Sequence, residues 1–245
     1  MDLHTVSALA AAPRPSPRLN PPLATHLYLP LALLLILNAW LAAGGGDMAI
    51  ADLLYRLEGN HWALKDAWWT SHLVHRVGKW MSTAAALAVL FAALRAWRAP
   101  LHAWRWPLLA LVGSVALSTA LVSMFKHLTH MDCPWDLARY GGTHAFYGLF
   151  ESRGGVPASG CFPAGHASAG YAWVALYFFA LATAPRWRWA GLASGLLVGA
   201  LFGFSQQLRG AHFLSHDLWS LAVCWVVPLC LFRLLPGRDG AQVRA

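Results

Sequence analysis

The sequence predicts an all-α membrane protein: a six-transmembrane-helix bundle with amphipathic helices on its outer face and a long loop between spans three and four. Three observations predict it. The chain of 245 residues is 58% hydrophobic and only 11% charged, with a mean hydropathy of +0.48, which is too apolar for the surface of a soluble domain. Six stretches approach the roughly 20 residues that a helix needs to cross a hydrocarbon core. The basic residues also divide by side. With a cytoplasmic N-terminus, the inner segments carry Arg14, Arg18, Arg95, Arg98, Arg105, Arg186, Arg188, Arg233, Arg238 and Arg244 against only Asp2 and Asp239. That asymmetry obeys the positive-inside rule and puts both termini in the cytoplasm. The net charge of +8 is therefore a signal of topology. No dense Lys/Arg run interleaved with aromatics accompanies it, which argues against a nucleic-acid partner.

Residues 1–22 contain Pro13, Pro15, Pro17, Pro21 and Pro22, which excludes a continuous helix and predicts a disordered cytoplasmic segment. The first span is Leu23 to Ala43. Leu41-Ala42-Ala43-Gly44 offers a small-residue cleavage site, but the apolar run is longer than a signal h-region and further spans follow, so an anchor is expected. From Gly44 to Lys79, apolar residues such as Met48, Leu54, Trp62 and Trp69 are interrupted by charges at near-helical spacing. This predicts one or two amphipathic helices lying in the outer headgroup layer, with tryptophan as anchor. A tether packed on the bundle fits the same pattern.

The second and third spans are Trp80 to Leu94 with its flanks and Trp106 to Phe125. A long, glycine-rich outer loop follows, from Lys126 to Gly165, and loops of that length are commonly functional. The fourth span runs from His166 to Ala184, the fifth from Trp189 to Phe204, and the sixth from Leu218 to Leu235. Pro228 predicts a kink in the sixth, and Arg233 near its end can snorkel. The span-bearing domain is thus 23–235, followed by a cytoplasmic tail, 236–245.

Between the last two spans lies FSQQLRGAHFLSHDLWS, Phe204 to Ser220. Arg209, His212 and His216 recur there at three- and four-residue spacing, on one side of any helix they occupy. Titratable residues beside a hydrocarbon span are costly and mark a functional site. In the predicted topology this stretch faces the same side as the long loop.

Three blocks then stand in register: Lys126-x6-Cys133-Pro134, Pro163-Ala164-Gly165-His166, and Ser205-Gln206-x5-His212-x3-His216. In order, spacing and position relative to the spans they resemble the motifs of the type-2 phosphatidic acid phosphatase superfamily, Lys-x6-Arg-Pro, Pro-Ser-Gly-His and Ser-Arg-x5-His-x3-Asp. The resemblance covers roughly Trp106 to Leu235. It implies a membrane-embedded bacterial lipid phosphatase of the inner membrane, with its site on the periplasmic or outer side and with membrane lipids around it. The implied substrate is a lipid phosphate or diphosphate, with undecaprenyl diphosphate, phosphatidic acid, phosphatidylglycerol phosphate and lipid A phosphates among the candidates.

Elementary chemistry assigns the same roles. Removing a phosphoryl group needs a nucleophile, an acid for the leaving oxygen and fixed positive charge around the equatorial oxygens. His212 is the candidate nucleophile, carrying a phosphohistidine, and His166 the candidate acid that later activates water. Lys126 supplies charge from the end of the third span. Ala164 and Gly165 stand where a helix opens, so that free backbone N–H groups point at phosphate.

The chain departs from the family at four positions. Gln206 replaces the third-block arginine, but Arg209 stands three residues on, only about 60° round a helix, and can reach the same phosphate. Cys133 replaces the first-block arginine, with Arg139 or else Arg153 as loop substitutes; Arg139 paired with Asp136 at the surface is the alternative. His216 replaces the aspartate that orients the nucleophile and can accept a hydrogen bond from its Nδ1–H. The adjacent Asp217, about 100° round the helix, is the other choice. Ala164 replaces a serine, removing one donor.

Cys133 and Cys161 share the outer loop, whereas Cys224 and Cys230 lie in a span. On an oxidising side, a Cys133–Cys161 disulfide is expected to fasten the first block to the second. His127, His130, His144, His166, His212 and His216 raise a zinc reading, yet no HExxH or paired CxxC supports it, and a cofactor-free, metal-independent site is expected. A lipid phosphotransferase, or a catalytically silent lipid-binding protein on the same scaffold, are the alternatives.

Overall fold

A computed structural model describes residues 20–98, 101–129, 131–149, 151–155, 157 and 159–235. The expected tail 236–245, and all but the last residues of the N-terminal segment 1–22, lie outside the described residues. Among those described the chain is helical, and its only β-pairing is a single bridge between Leu137 and His144.

A π-helical turn at Ala24–Tyr28 leads into α1, Leu29–Ala43. Gly45, with φ of 76°, reverses the chain into α2, Gly46–Leu57. A second π-helical segment, Trp69–Val77, runs without a break into α3, Gly78–Arg95. Then come α4, Arg105–Thr129; α5, Gly165–Tyr171; and α6, Ala175–Thr183, the last two joined by a 3-10 turn at Ala172–Val174. The chain closes with α7, Arg188–Leu208, and α8, Leu214–Arg233, which contains Pro228.

Five helical stretches among the described residues are long and apolar enough to cross a membrane, those containing α1, α3, α4, α7 and α8. Their outward faces carry large apolar residues, Ile36 and Trp40 on α1, Trp80 and Phe91 on α3, Leu197 and Leu201 on α7. Such a surface belongs against hydrocarbon, and the chain is a membrane protein. The fourth expected span, His166 to Ala184, is a succession of three short helical pieces from Gly165 to Thr183. These pieces form the centre of the bundle: α5 touches α3, α4, α7 and α8, and Ala172, Val174, Ala175 and Phe178 are fully buried.

The outer connection also differs in part from expectation. Gly46–Leu57 is an amphipathic helix, but the second half, from Trp69 on, becomes the start of the α3 rod, while Trp62 stays in the link between them. The underlying reason is periodicity: helical spacing of apolar residues reads the same in a helix lying on a membrane and in the first turns of one entering it.

Two contacts set the geometry around the site. A Cβ on Gly170 of α5 would come within 2.6 Å of Gly199 Cα on α7. Gly170 lets the α5 and α7 backbones meet, and a Cβ on Gly199 would strike the Tyr171 ring; this is the small-residue packing of membrane helices. Between α7 and α8, Gly210 takes φ of 68° and sits against the Trp62 ring, so the turn that carries His212 requires a residue without a side chain there.

Candidate active site

The three blocks meet at one end of the bundle, stitched mainly by backbone hydrogen bonds. Trp135 N–H donates to the Gly210 carbonyl (2.9 Å), joining the first block to the third. Ala164 N–H donates to the His216 carbonyl (3.1 Å), and Ser220 Oγ donates to the Ala164 carbonyl (2.9 Å), joining the second to the third. Cys161 N–H donates to Met131 O (2.7 Å), and the Cys133–Cys161 disulfide closes the same seam with Cα atoms 5.2 Å apart.

His212 lies in the turn between α7 and α8 and is 6% exposed. Its Nδ1 is 3.5 Å from His216 Nδ1, the long edge of hydrogen bonding, and both rings face the Cys161 carbonyl. Burial, then the nearby charges of His216 and Lys126, hold the His212 imidazole well below its ordinary pKa, so the ring is neutral at pH 7. With Nδ1 turned to His216, Nε2 is the ring nitrogen outside that contact.

Asp217 is not beside His212. One carboxylate oxygen accepts from Gln207 Nε2 (2.6 Å), and the group sits against Gly203 of α7. Regular helical geometry at the start of α8 turns it away, and His216, not Asp217, is the neighbour of the His212 ring. The first turn of α8 is itself held from another helix: Asp47 of α2 accepts from Ser215 N–H (3.0 Å) and from Ser215 Oγ (2.5 Å). Burial raises the pKa of Asp47, opposed by these Ser215 bonds.

His166 opens α5. Its ring stacks on Phe202 (4.5 Å, 19°), lies 4.5 Å from the His75 ring and leaves a buried Nε2 with no protein partner. His166 and Gly165 line a cavity of about 570 Å³ together with Lys126, His75 and Lys79. His212 is not on that cavity's wall; it lies behind, within electrostatic reach of Lys126 and His166.

Arg209 donates Nε–H to the Lys65 carbonyl (2.6 Å) and Nη1–H to Gln206 Oε1 (3.1 Å), with its guanidinium 5.9 Å from the Trp135 ring. Its charge bears on both His166 and His75. Gln206, standing where the motif has arginine, thus holds the arginine that comes three residues later.

Two expectations need correction. Arg139 does not turn to the histidines, nor to Asp136; it grips Asp52 of α2 with two bonds of 2.7 and 2.6 Å, and Tyr140 Oη adds a third bond to that carboxylate (2.9 Å). Asp52 is held below its usual pKa first by the Arg139 bond. The sequence offered no means of knowing that α2 would bring a carboxylate over the loop. The alternative, Arg153, is likewise engaged with Asp132 (2.7 Å), which also takes His144 Nδ1 (3.0 Å) and Ser159 N–H (3.2 Å). Ala164, in turn, is fully buried with its N–H given to His216; it ties two blocks and has no donor left for phosphate.

His130 lies outside the described residues, and among those described no three potential ligands gather as a metal site. His75 and Lys79 were missed. They stand one turn apart where the second span begins, and the only signal was their shared helical side.

A membrane bundle with histidines, a lysine and an arginine gathered at one end has the charge that a site for anionic groups requires. The chain matches the family model of the PAP2 superfamily over residues 107–239, more than half its length, and belongs to that superfamily. Its members are generally phosphatases, and the chain is a phosphatase-type enzyme acting on phosphate esters. No curated protein and no solved structure matches it.

Proposed function

We propose that the protein is an integral-membrane lipid phosphatase that hydrolyses a lipid phosphate or diphosphate through a phosphohistidine at His212. His212 Nε2 attacks phosphorus, forming the N–P bond as the P–O bond to the lipid breaks, while His166 Nε2–H gives its proton to the leaving oxygen. His166 then takes a proton from water; the water oxygen attacks phosphorus, the N–P bond breaks and inorganic phosphate leaves. Lys126 and Arg209 stabilise the charge spread over the phosphoryl oxygens. His216 and the Cys161 carbonyl hold the nucleophile's ring.

One observation carries the reading: His166 and Lys126 face the same cleft, with a neutral, nearly enclosed His212 behind them. The cleft lies between helices whose outer faces are apolar, which favours a lipid over a soluble ester. We place six crossings in the membrane, counting Gly165–Thr183 as one, with both termini in the cytoplasm of a bacterial inner membrane. The Cys133–Cys161 bridge at the site's own end of the bundle supports an outward-facing site, since disulfides persist on the oxidising side.

The test is a panel of lipid mono- and diphosphates with purified protein and His212→Ala in parallel. Phosphate release that the variant loses, with labelled phosphate trapped on His212, is expected. Absence of release from every lipid refutes the reading, and label appearing on a second lipid makes the enzyme a phosphotransferase.

A further inference from the structure

The cleft beside His166 is more basic than the three blocks account for. His75 and Lys79 come from the second predicted span, outside every motif, yet they face the same cavity as Lys126 and His166. The His75 ring is 4.5 Å from His166, and the charges of Arg209, Lys79 and Lys126 all bear on it. No carboxylate lines the cavity, and neither Lys79 nor Lys126 forms a salt bridge among the described residues. Asp66 lies toward Arg209, outside the cavity wall.

The cleft is also graded along its length. α3 and α4 lie side by side. From the basic end the wall passes through Ser82, Ser123 and Thr119 to Ala86, Ala116 and Val115. A ligand seated here has its anionic part between α3 and α4 beside His166 and a slender apolar part beyond. Charge decides how much anion is needed. A phosphate monoester carries roughly two negative charges, which Lys126 and Arg209 already balance. Lys79, with His75 beside it, provides for about one more.

We propose that His75 and Lys79 form a second anion subsite, next to that of Lys126, that holds the lipid-proximal phosphate of a lipid diphosphate while the terminal phosphate is transferred. This rests on the phosphatase reading above and narrows it to diphosphates of a narrow-chained lipid. In that reaction the bond between terminal phosphorus and bridging oxygen breaks, and the leaving group is a lipid monophosphate whose charge rises as it departs. Fixed cations beside that oxygen stabilise the transition state more than the ground state. His75 is a positioning residue here: its ring lies 4.5 Å from that of the acid His166 and borders the same cavity.

The experiment compares kcat/KM for a prenyl diphosphate and the prenyl monophosphate of equal chain length, in detergent, for the full chain. Lys79→Gln and His75→Gln are each expected to lower the diphosphate-to-monophosphate ratio about tenfold, the scale of one charge-assisted hydrogen bond. Arg76→Gln, on the same segment but outside the cavity, is expected to leave the ratio unchanged. Equal losses on both substrates, or no loss on either, overturn the proposal. Binding of inorganic pyrophosphate and of inorganic phosphate, measured by calorimetry on wild type and Lys79→Gln, keeps the test independent of turnover. A protein that hydrolyses nothing yet loses pyrophosphate preference with Lys79→Gln refutes the phosphatase reading and keeps the subsite. A protein that hydrolyses both lipids with no such loss does the reverse.

Discussion

Breaking the Cys133–Cys161 bridge is expected to act on stability and on catalysis by separate routes. The cysteines are 28 residues apart, and in the chain-entropy model closing such a loop is worth about 3.6 kcal/mol at 25 °C. Part of that restraint survives reduction, because Cys161 N–H still bonds Met131 O and Ser159 still bonds Asp132 and Asp136. The 3.6 kcal/mol is therefore a ceiling. The catalytic route runs through one atom: the carbonyl of Cys161 faces both His212 and His216, so slack in that residue loosens the nucleophile's ring. The double variant Cys133→Ser/Cys161→Ser should unfold in detergent at a midpoint several degrees lower. It should also lose kcat more than KM, since positioning acts in the transition state. Alkylation of the denatured protein followed by mass spectrometry should find two free thiols, Cys224 and Cys230, before reductant and four after it. Four thiols under both conditions, or a double variant with unaltered kcat, would refute the reasoning.

Asp47→Ala strips the first turn of α8 of its charge-assisted partner at Ser215; a loss of about 1.5–3 kcal/mol is expected, read as a lower unfolding midpoint in detergent. His216→Ala should depress kcat, while Asp217→Asn should act on stability through the Gln207 bond and leave phosphoenzyme formation intact; trapping of labelled phosphate separates the two, and the opposite pattern makes Asp217 the orienting group. The lowered pKa of His212 keeps the nucleophile neutral below the ordinary histidine value of about 6.5, so labelled phosphoenzyme should still form as pH falls past that point. The same shift weakens folding in that window, because the unfolded histidine takes up its proton first as pH falls through about 6.5; denaturation midpoints measured from pH 7.5 to 5 should decline accordingly.

How far the fold was legible depended on which force wrote each part. Apolar runs dictated by hydrocarbon thickness marked the helices containing α1, α3, α4, α7 and α8 directly. The stretch Gly165–Thr183 was equally apolar to the eye, but its break at Ala172–Val174 lies in a fully buried centre where composition carries no periodic signal. At the site, the meeting of the three blocks that carry Lys126, His166 and His212 was legible from their order and spacing. What holds them was not: Ala164 N–H to His216 O and Trp135 N–H to Gly210 O are main-chain bonds that any residue but proline can make. Arg139 was misread for a related reason. Its partner Asp52 lies 87 positions away on another helix, and only the packing of α2 over the loop brings them together.

The four departures from the motif become intelligible as a set once their contacts are known. Cys133 exchanges a cation for a covalent tie to the second block. Gln206 exchanges a cation for an acceptor that steadies Arg209. His216 gives up a carboxylate, which also removes a negative charge from behind His212. Ala164 gives up a hydroxyl at a position that is fully buried and whose N–H ties α5 to α8. Two guanidinium groups and one carboxylate have thus left the motif positions. The positive charge that remains is displaced toward α3, where Lys79 and His75 border the cleft from a helix the motifs never reach. If the proposed subsite holds, a site whose cations stand on the cleft wall instead of in the loop grips its substrate nearer the apolar end of the cleft, and the ratio of diphosphate to monophosphate turnover is where that difference is read.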